Sequence, residues 1–464
     1  MKWFESAGRA RPAPSACAWR RVAALLAFVP LLVQAQGQVQ GQAQMQPQVQ
    51  PHAQPPLLSE TRQAPLSLAE AVQIATTQSR RVAATELQAQ AAREMAVAAA
   101  QRPDPVLKFG LINLPIDGAD RFSLTSDFMT MRSVGVMQEL TRGEKRQARG
   151  QRAQREVEAA LLARTQAVSE LQRDTALVWL ERSYQHLLRD LLLAQVREAE
   201  LQVQAAQALV GSGKASQADV FAARNQVEQV RDSVAQADRS IAVASTRLAR
   251  WIGEAAQRDS GPRPVLAVPT WAASPDLAPH LAQHAQIAVA AQQTAIARAD
   301  VEVAEAERRP DWSVELMFSQ RGPGYSNMVS VNVSLPLQWN QAQRQGRDVA
   351  ARHALAARSA AELEDLQRAH EAEVRAMLQE WDSHEQRLQR YGSVLLPLAQ
   401  QRSHAALTAY RAGSGALSAV LEARRAEIDV QIERLRIEME LARLWAQFAY
   451  LDGQGSAVTP EATP

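Results

Sequence analysis

A single cysteine, Cys17, stands in a chain of 464 residues, so no intramolecular disulfide framework and no thiolate-rich metal site can form. An excess of charge of one sign is also missing. The formal net charge is +2, and the 22% of residues that are charged mix both signs along helix-like stretches, which leaves no electrostatic footprint for nucleic acid. Long apolar runs are absent as well. VAALLAFVPLLV at 22–33 falls short of the ~20 residues that a membrane-spanning helix needs. If the chain enters a membrane it must use strands, because lipid leaves every unpaired backbone group unsatisfied. There is no nucleophile–base pair and no phosphate-cradling loop, so neither catalysis nor a cofactor is expected.

What is present begins at the N-terminus. Arg9, Arg11, Arg20 and Arg21 precede the 22–33 run, and Gln34-Ala35-Gln36 follows it. A basic region, a short apolar core and a small residue at its end read as a secretory signal peptide over 1–35, cleaved near Ala35. Cys17 would leave with it. Residues 36–64 are rich in Gln and Pro, cannot bury a core, and are expected to be disordered.

The stretch 328–339, MVSVNVSLPLQW, sets the plan of the rest. Val329, Val331, Val333, Leu335 and Leu337 fall on one side of an extended chain, and Ser330, Asn332 and Ser334 on the other. From Gln341 the composition turns to Ala, Arg, Gln and Glu, which favours helix. The same order occurs earlier, where MRSVGVMQEL at 131–140 leads into a helical run reaching about residue 209. A helix of that length spans roughly 100 Å. Leu177, Leu180, Tyr184, Leu187 and Leu191 form its apolar seam, and Val374, Met377, Trp381, Leu388, Tyr391 and Leu395 form the seam of its counterpart. Gly211-Ser212-Gly213 and Gly413-Ser414-Gly415 break the two long helices, and Pro397 is expected to kink the second. Arg102-Pro103-Asp104 and Arg309-Pro310-Asp311 mark matching helix-to-strand junctions. The expected domains are a first repeat at 65–252, a Pro- and Gly-rich connector at 253–274, a second repeat at 275–451 and a flexible tail at 452–464. Each repeat reads helix, strand, loop, strand, very long helix, turn, helix.

Two hairpins of two-faced strands cannot close a barrel alone, and an open sheet edge in lipid is costly. Outer-membrane barrels begin at about eight strands, so a chain supplying four must oligomerise. The valine row would face lipid and Ser330, Asn332 and Ser334 a polar lumen. With hairpins at one end and Gly turns at the other, the helices would project from the membrane as a tube.

These features resemble the TolC-type outer membrane efflux channels (the outer membrane factors). The resemblance covers about residues 65–451. It rests on the tandem repeat, the hairpin-then-long-helix order, and the Gly turns followed by Asp219-Val220 and by Val420-Leu421-Glu422-Ala423. It implies a mainly α fold with a small β part, in which three chains build a 12-stranded outer membrane barrel joined to a periplasmic α-helical barrel. It implies a homotrimer that passively carries substrate outward, working with a periplasmic adaptor and an inner membrane resistance–nodulation–division pump, and contacting outer membrane lipid. Gly211, Gly213, Gly413 and Gly415 would then lie at the periplasmic tip, with Asp219 and Glu422 as acidic gate residues. Ala419 stands where the family often has a further Asp, so an acidic ring would be thinner here. As a residue near a helix start, Asp219 also suits a cap.

GLINLP, DFMTMRSVGVMQEL and GEKRQAR within 110–149 resemble the branch that serves heavy-metal exporters, which implies metal-cation cargo. Met129, Met131 and Met137 supply thioethers, which suit soft metals, but flexible apolar residues around a strand account for them as well. His280 and His284 have one-turn spacing on a polar helix, with no further ligand in sight, so no resident metal site is expected. Competing readings are a drug or polypeptide duct of the same family, and a periplasmic coiled-coil scaffold or adaptor without a pore.

Overall fold

The computed structural model describes residues 64–451 except 214, 215 and 275. The expected signal peptide, its cleavage site, almost all of the Gln/Pro-rich segment and the C-terminal tail lie outside the described residues.

Helix α1, Leu68–Gln78, starts where Ser67 Oγ accepts from the Glu70 N–H at 3.1 Å. Its buried stripe, Leu68, Ala71, Val72 and Ala75, has the spacing of one helix face. The sequence predicts one helix onward to about residue 101. Two are found, because Ser79 turns extended and caps α2, Arg80–Ala99, by accepting from the Val82 N–H at 3.2 Å. Strands β1, Val106–Ile112, and β2, Met131–Leu140, follow, then α3, Gly143–Gly211, and α4, Gln217–Ile252. At 69 residues, α3 is about 100 Å long.

The second half differs from its expected outline in three places. Helical sequence was expected from about residue 275, but α5 is a single turn, Ala278–Leu281, and His284 is extended before α6, Ala285–Glu307. After β3, Trp312–Gln320, strand β4 covers only Met328–Ser334. Leu335 and Leu337 therefore lie beyond the strand to which the alternation assigns them. Pro336 supplies the reason: without an N–H it cannot donate to a ladder. The long helix then begins at α7, Gln345–Arg390. It passes through a π-helical turn, Tyr391–Leu395, into α8, Leu396–Arg411. Pro397 lies at the start of α8, so the missing N–H is absorbed by a widened turn. Helix α9, Leu417–Ala449, completes the described chain.

The main core sits part-way along the helices. Trp179 is 0% exposed, with Leu180, Tyr184, Leu248, Val374, Trp381 and Phe448 around it, so both expected seams contribute. Each such side chain contributes about 1.5–3 kcal/mol over its exposed state. Leu66, just ahead of α1, is tied into this core by backbone bonds to Asp259 and Gly261 and by the Trp179 indole N–H at 3.2 Å. Arg182, also buried, donates to Ala256 O, Arg258 O and Ser260 Oγ. A buried guanidinium is tolerable there because carbonyls satisfy its donors. These bonds fold the connector back onto α3.

Candidate functional site

The four strands form one antiparallel sheet in the order β1-β2-β3-β4. The hairpins of the two repeats are therefore joined edge to edge through β2 and β3. Directly opposed residues share a face, so the register sorts the side chains. Leu107, Val136, Leu316 and Val331 form one rung, and Phe109, Val134, Phe318 and Val329 the next. Val314 and Val333 add a third, and Trp312 with Leu140 lie at the helix end of that face. Nearly all these side chains are exposed in the single chain, Val331 by 64%. Exposed apolar patches of this extent mark an interaction surface. The opposite face carries Ser330, Asn332, Ser334, Glu315 and Lys108, with Lys108 Nζ 3.2 Å from the Glu315 carboxylate. Met137 and Met317 also lie on this polar face, by register. Strands β1 and β4 each have one neighbour, so both edges are open.

At the base of the polar face lies a cavity of about 950 Å³, lined in part by Met137, Glu139, Lys145, Asp311, Ser334 and Leu335. Leu335 thus borders a polar cavity and does not extend the valine row. Lys145 Nζ pairs with Asp311 at 2.7 Å, both largely buried, and Asp311 also accepts from the Arg142 N–H at 3.0 Å. This cluster fastens the end of β2 to the start of β3, where strands give way to helices. Reading Arg309-Pro310-Asp311 as a junction located Asp311 but not its partner, 166 residues away.

At the far end of the helices are the two turns. Gly213 and Gly413 have φ of 68° and 75°, the left-handed conformation that terminates α3 and α8 and that only glycine adopts at little cost. Gly211 is the last residue of α3, and Gly415 follows the second turn. Asp219 lies in the first turn of α4. Its carboxylate accepts from the Ser216 N–H and hydroxyl, both at 2.8 Å, and Ser216 Oγ accepts in return from the Asp219 N–H, a reciprocal cap. Those bonds hold the carboxyl below its ordinary pKa, so it is a fixed negative charge at neutral pH. Glu422, in α9, pairs with Arg402 at 3.1 Å. Asp219 and Glu422 line the same groove of about 370 Å³ with Leu209, Leu421 and Arg425. Sequence reasoning missed Arg402 and Arg425, because arginines are frequent on every helix face and nothing distinguishes these two.

The histidines are arranged differently from their spacing. His284 Nδ1 meets His370 Nε2 of α7, 86 residues away, and Trp271 packs edge-on against His284. Burial first, then the neighbouring His370 and His280, push the His284 pKa down to about 4. Among the described residues, no group of three or more His, Cys, Asp or Glu side chains is placed to hold a metal ion. No described helix is long and apolar enough to cross a membrane.

Residues 71–254 match the family model described as outer membrane efflux protein. No curated protein sequence matches the chain. Solved structures do. One described as a membrane protein from Pseudomonas aeruginosa is 18% identical, with a TM-score of 0.70 over 85% of this chain and 92% of that one. CusC, whose description refers to transmembrane channel formation, is 15% identical, with a TM-score of 0.67 over 84% and 92%. The Campylobacter jejuni CmeC outer membrane channel is 13% identical, with a TM-score of 0.68 over 84% and 86%. At these identities the likeness is one of fold. Residues 71–254 thus match an outer membrane efflux protein family in sequence, and most of the described chain shares the fold of these solved channels.

Proposed function

We propose that this chain is the outer membrane duct of a tripartite efflux pump. The observation that carries the reading is the sheet: a continuous exposed apolar face, a polar face behind it and two open edges, mounted on helices about 100 Å long. Pairing β4 of one copy with β1 of the next removes the edges, and three copies supply 12 strands. The apolar face then meets lipid and the polar face lines the lumen. The helices form the periplasmic tube, and the turns at Gly213 and Gly413 meet the adaptor of an inner membrane resistance–nodulation–division pump. Asp219 and Glu422, repeated threefold near the axis, form a ring that favours cations. The cargo is a heavy-metal cation, a reading supported by Met137 and Met317 on the polar face beside Glu139 and Glu315, since thioethers suit soft metals. Energy coupling belongs to the partner pump.

Fractionation tests the channel: the chain should require detergent for extraction, and recovery from the soluble periplasm would refute it. Deleting the gene should lower tolerance to copper, zinc or cobalt. A change in drug tolerance alone would refute the metal cargo and leave the duct standing.

A further inference from the structure

The end of the sheet farthest from the helices carries three arginines that form no ion pair among the described residues. Arg132 of β2 lies opposite Leu111 and Gln320. By alternation it shares the face of Val134 and Val136 and ends that apolar face on the loop side. Arg321, directly after β3, stacks over Tyr325 with its guanidinium carbon 4.9 Å from the ring centre, and donates to Phe128 O. Arg132 Nη2 donates to Arg321 O at 3.5 Å, which makes the two neighbours. Arg121, in the loop between β1 and β2, lies over Phe122 at 4.8 Å.

Among the described residues none of the three forms an ion pair, in contrast to Arg152, Arg231 and Arg402 on the helices. The nearby carboxylate of Asp127 is engaged with its own turn, accepting from the Met129 and Thr130 N–H groups at 2.8 and 3.0 Å. Asp117 and Asp120 share the loop without pairing to any of the three. Ile116, Phe122 and Phe128 of the same loop are largely exposed.

We propose that Arg132, Arg321 and Arg121 form a binding surface for the phosphate groups of an anionic outer-leaflet lipid. The inference rests on the barrel reading above. A guanidinium presents paired donors that match phosphate oxygens, and stacking on Tyr325 and Phe122 fixes the planes of two of the three. Aromatic side chains settle at the level of lipid headgroups. Free phosphate offers the same anion. What commits the surface to lipid is the apolar face that Arg132 terminates: acyl chains cover the valine and phenylalanine rungs while the headgroup meets the arginines.

Native mass spectrometry of the full-length oligomer, released from detergent, tests this with three probes: bisphosphorylated lipid A, its dephosphorylated form and inorganic phosphate. The phosphorylated lipid should bind about tenfold more tightly than the dephosphorylated one, the gain expected of charge-assisted hydrogen bonds at a partly exposed site. An Arg132→Gln, Arg321→Gln double variant should erase that difference. The loop variant Arg121→Gln, which leaves the sheet untouched, should reduce it about threefold. The helix-surface control Arg358→Gln should leave it unchanged. Equal binding of the two lipids, or a difference that survives the double variant and Arg121→Gln, overturns the proposal. Displacement of the lipid by millimolar inorganic phosphate overturns its commitment to lipid. A wild-type chain recovered without detergent refutes the barrel itself, an outcome distinct from an inserted trimer that ignores lipid phosphate.

Discussion

Replacing Val331 by Arg tests the facing of the sheet most directly. Val331 belongs to the rung Leu107–Val136–Leu316–Val331, flanked along its strand by Val329 and Val333. On β3 the same face runs from Trp312 to Gln320, eight residue steps, or roughly 27 Å along the strand. Leu316, opposite Val331, is at the midpoint. A tilt of about 40° reduces that span to about 21 Å of depth, most of the ~25 Å apolar band of an outer-membrane barrel, with Val331 close to mid-depth. An arginine there costs about 2–4 kcal/mol per chain, hence roughly 6–12 kcal/mol over three copies. Asn332→Arg is the matched control. It lies on the other face, directly opposite Glu315, and adds a cation to a polar lumen beside a carboxylate. Unboiled gel electrophoresis of outer membranes, with a urea series to find the oligomer's midpoint, reads the difference. Val331→Arg should abolish or strongly weaken the resistant oligomer, and Asn332→Arg should leave it within about 1 kcal/mol of wild type. Equal oligomer from both variants would refute the assignment of faces.

Two further outcomes are expected. Gly413→Val forces a branched side chain into a left-handed turn at φ 75°, at a cost of about 1–2 kcal/mol confined to the tip; limited proteolysis should cut faster near residue 413 while the oligomer stays intact. His284 should make the protein acid-sensitive. Its folded pKa of about 4 lies below the ordinary value, so the unfolded chain binds the proton first; the stability from neutral His284 is complete above about pH 6.5 and drains away as pH falls toward 4. Among the described residues His370, His280 and Trp271 face it, with Glu373 3.7 Å from His370. The loss should reach up to ~3 kcal/mol near pH 4, read as the part of the acid-induced fall in unfolding midpoint that His284→Phe removes.

The parts of the fold that a local pattern specifies were legible in the sequence. Alternation in SVGVMQEL and VSVNVS gave the two faces of β2 and β4. The three-and-four spacing of Leu177, Leu180 and Tyr184 gave the buried side of α3, and paired Gly-Ser-Gly turns gave the ends of the long helices. What stayed hidden depends on partners distant in the chain. Pairing of β2 with β3 and the Lys145–Asp311 bridge join the two repeats, and the His284–His370 contact spans 86 residues within the second. No periodicity encodes which of many similar residues meet across such a gap. Local exceptions were missed for another reason: Ser79 is one of many serines, and its capping role is visible only once the backbone turns extended there.

The hidden contacts matter more to the proposed duct than the legible ones. Each repeat offers a hairpin, and a two-stranded hairpin is marginal in isolation. The β2–β3 ladder makes one four-stranded sheet from two hairpins. The Lys145–Asp311 pair and the Arg142 bonds to Asp311 and Pro310 then lock that ladder where it meets α3. Breaking a largely buried pair by removing one partner costs about 3–5 kcal/mol, whereas an exposed helix pair such as Arg358–Glu362 is worth a few tenths. The chain therefore places a largely buried ion pair at the seam between its halves, next to the boundary between sheet and helix. In the proposed duct that is the position where barrel would meet tube, so loss of the pair should loosen the junction between them.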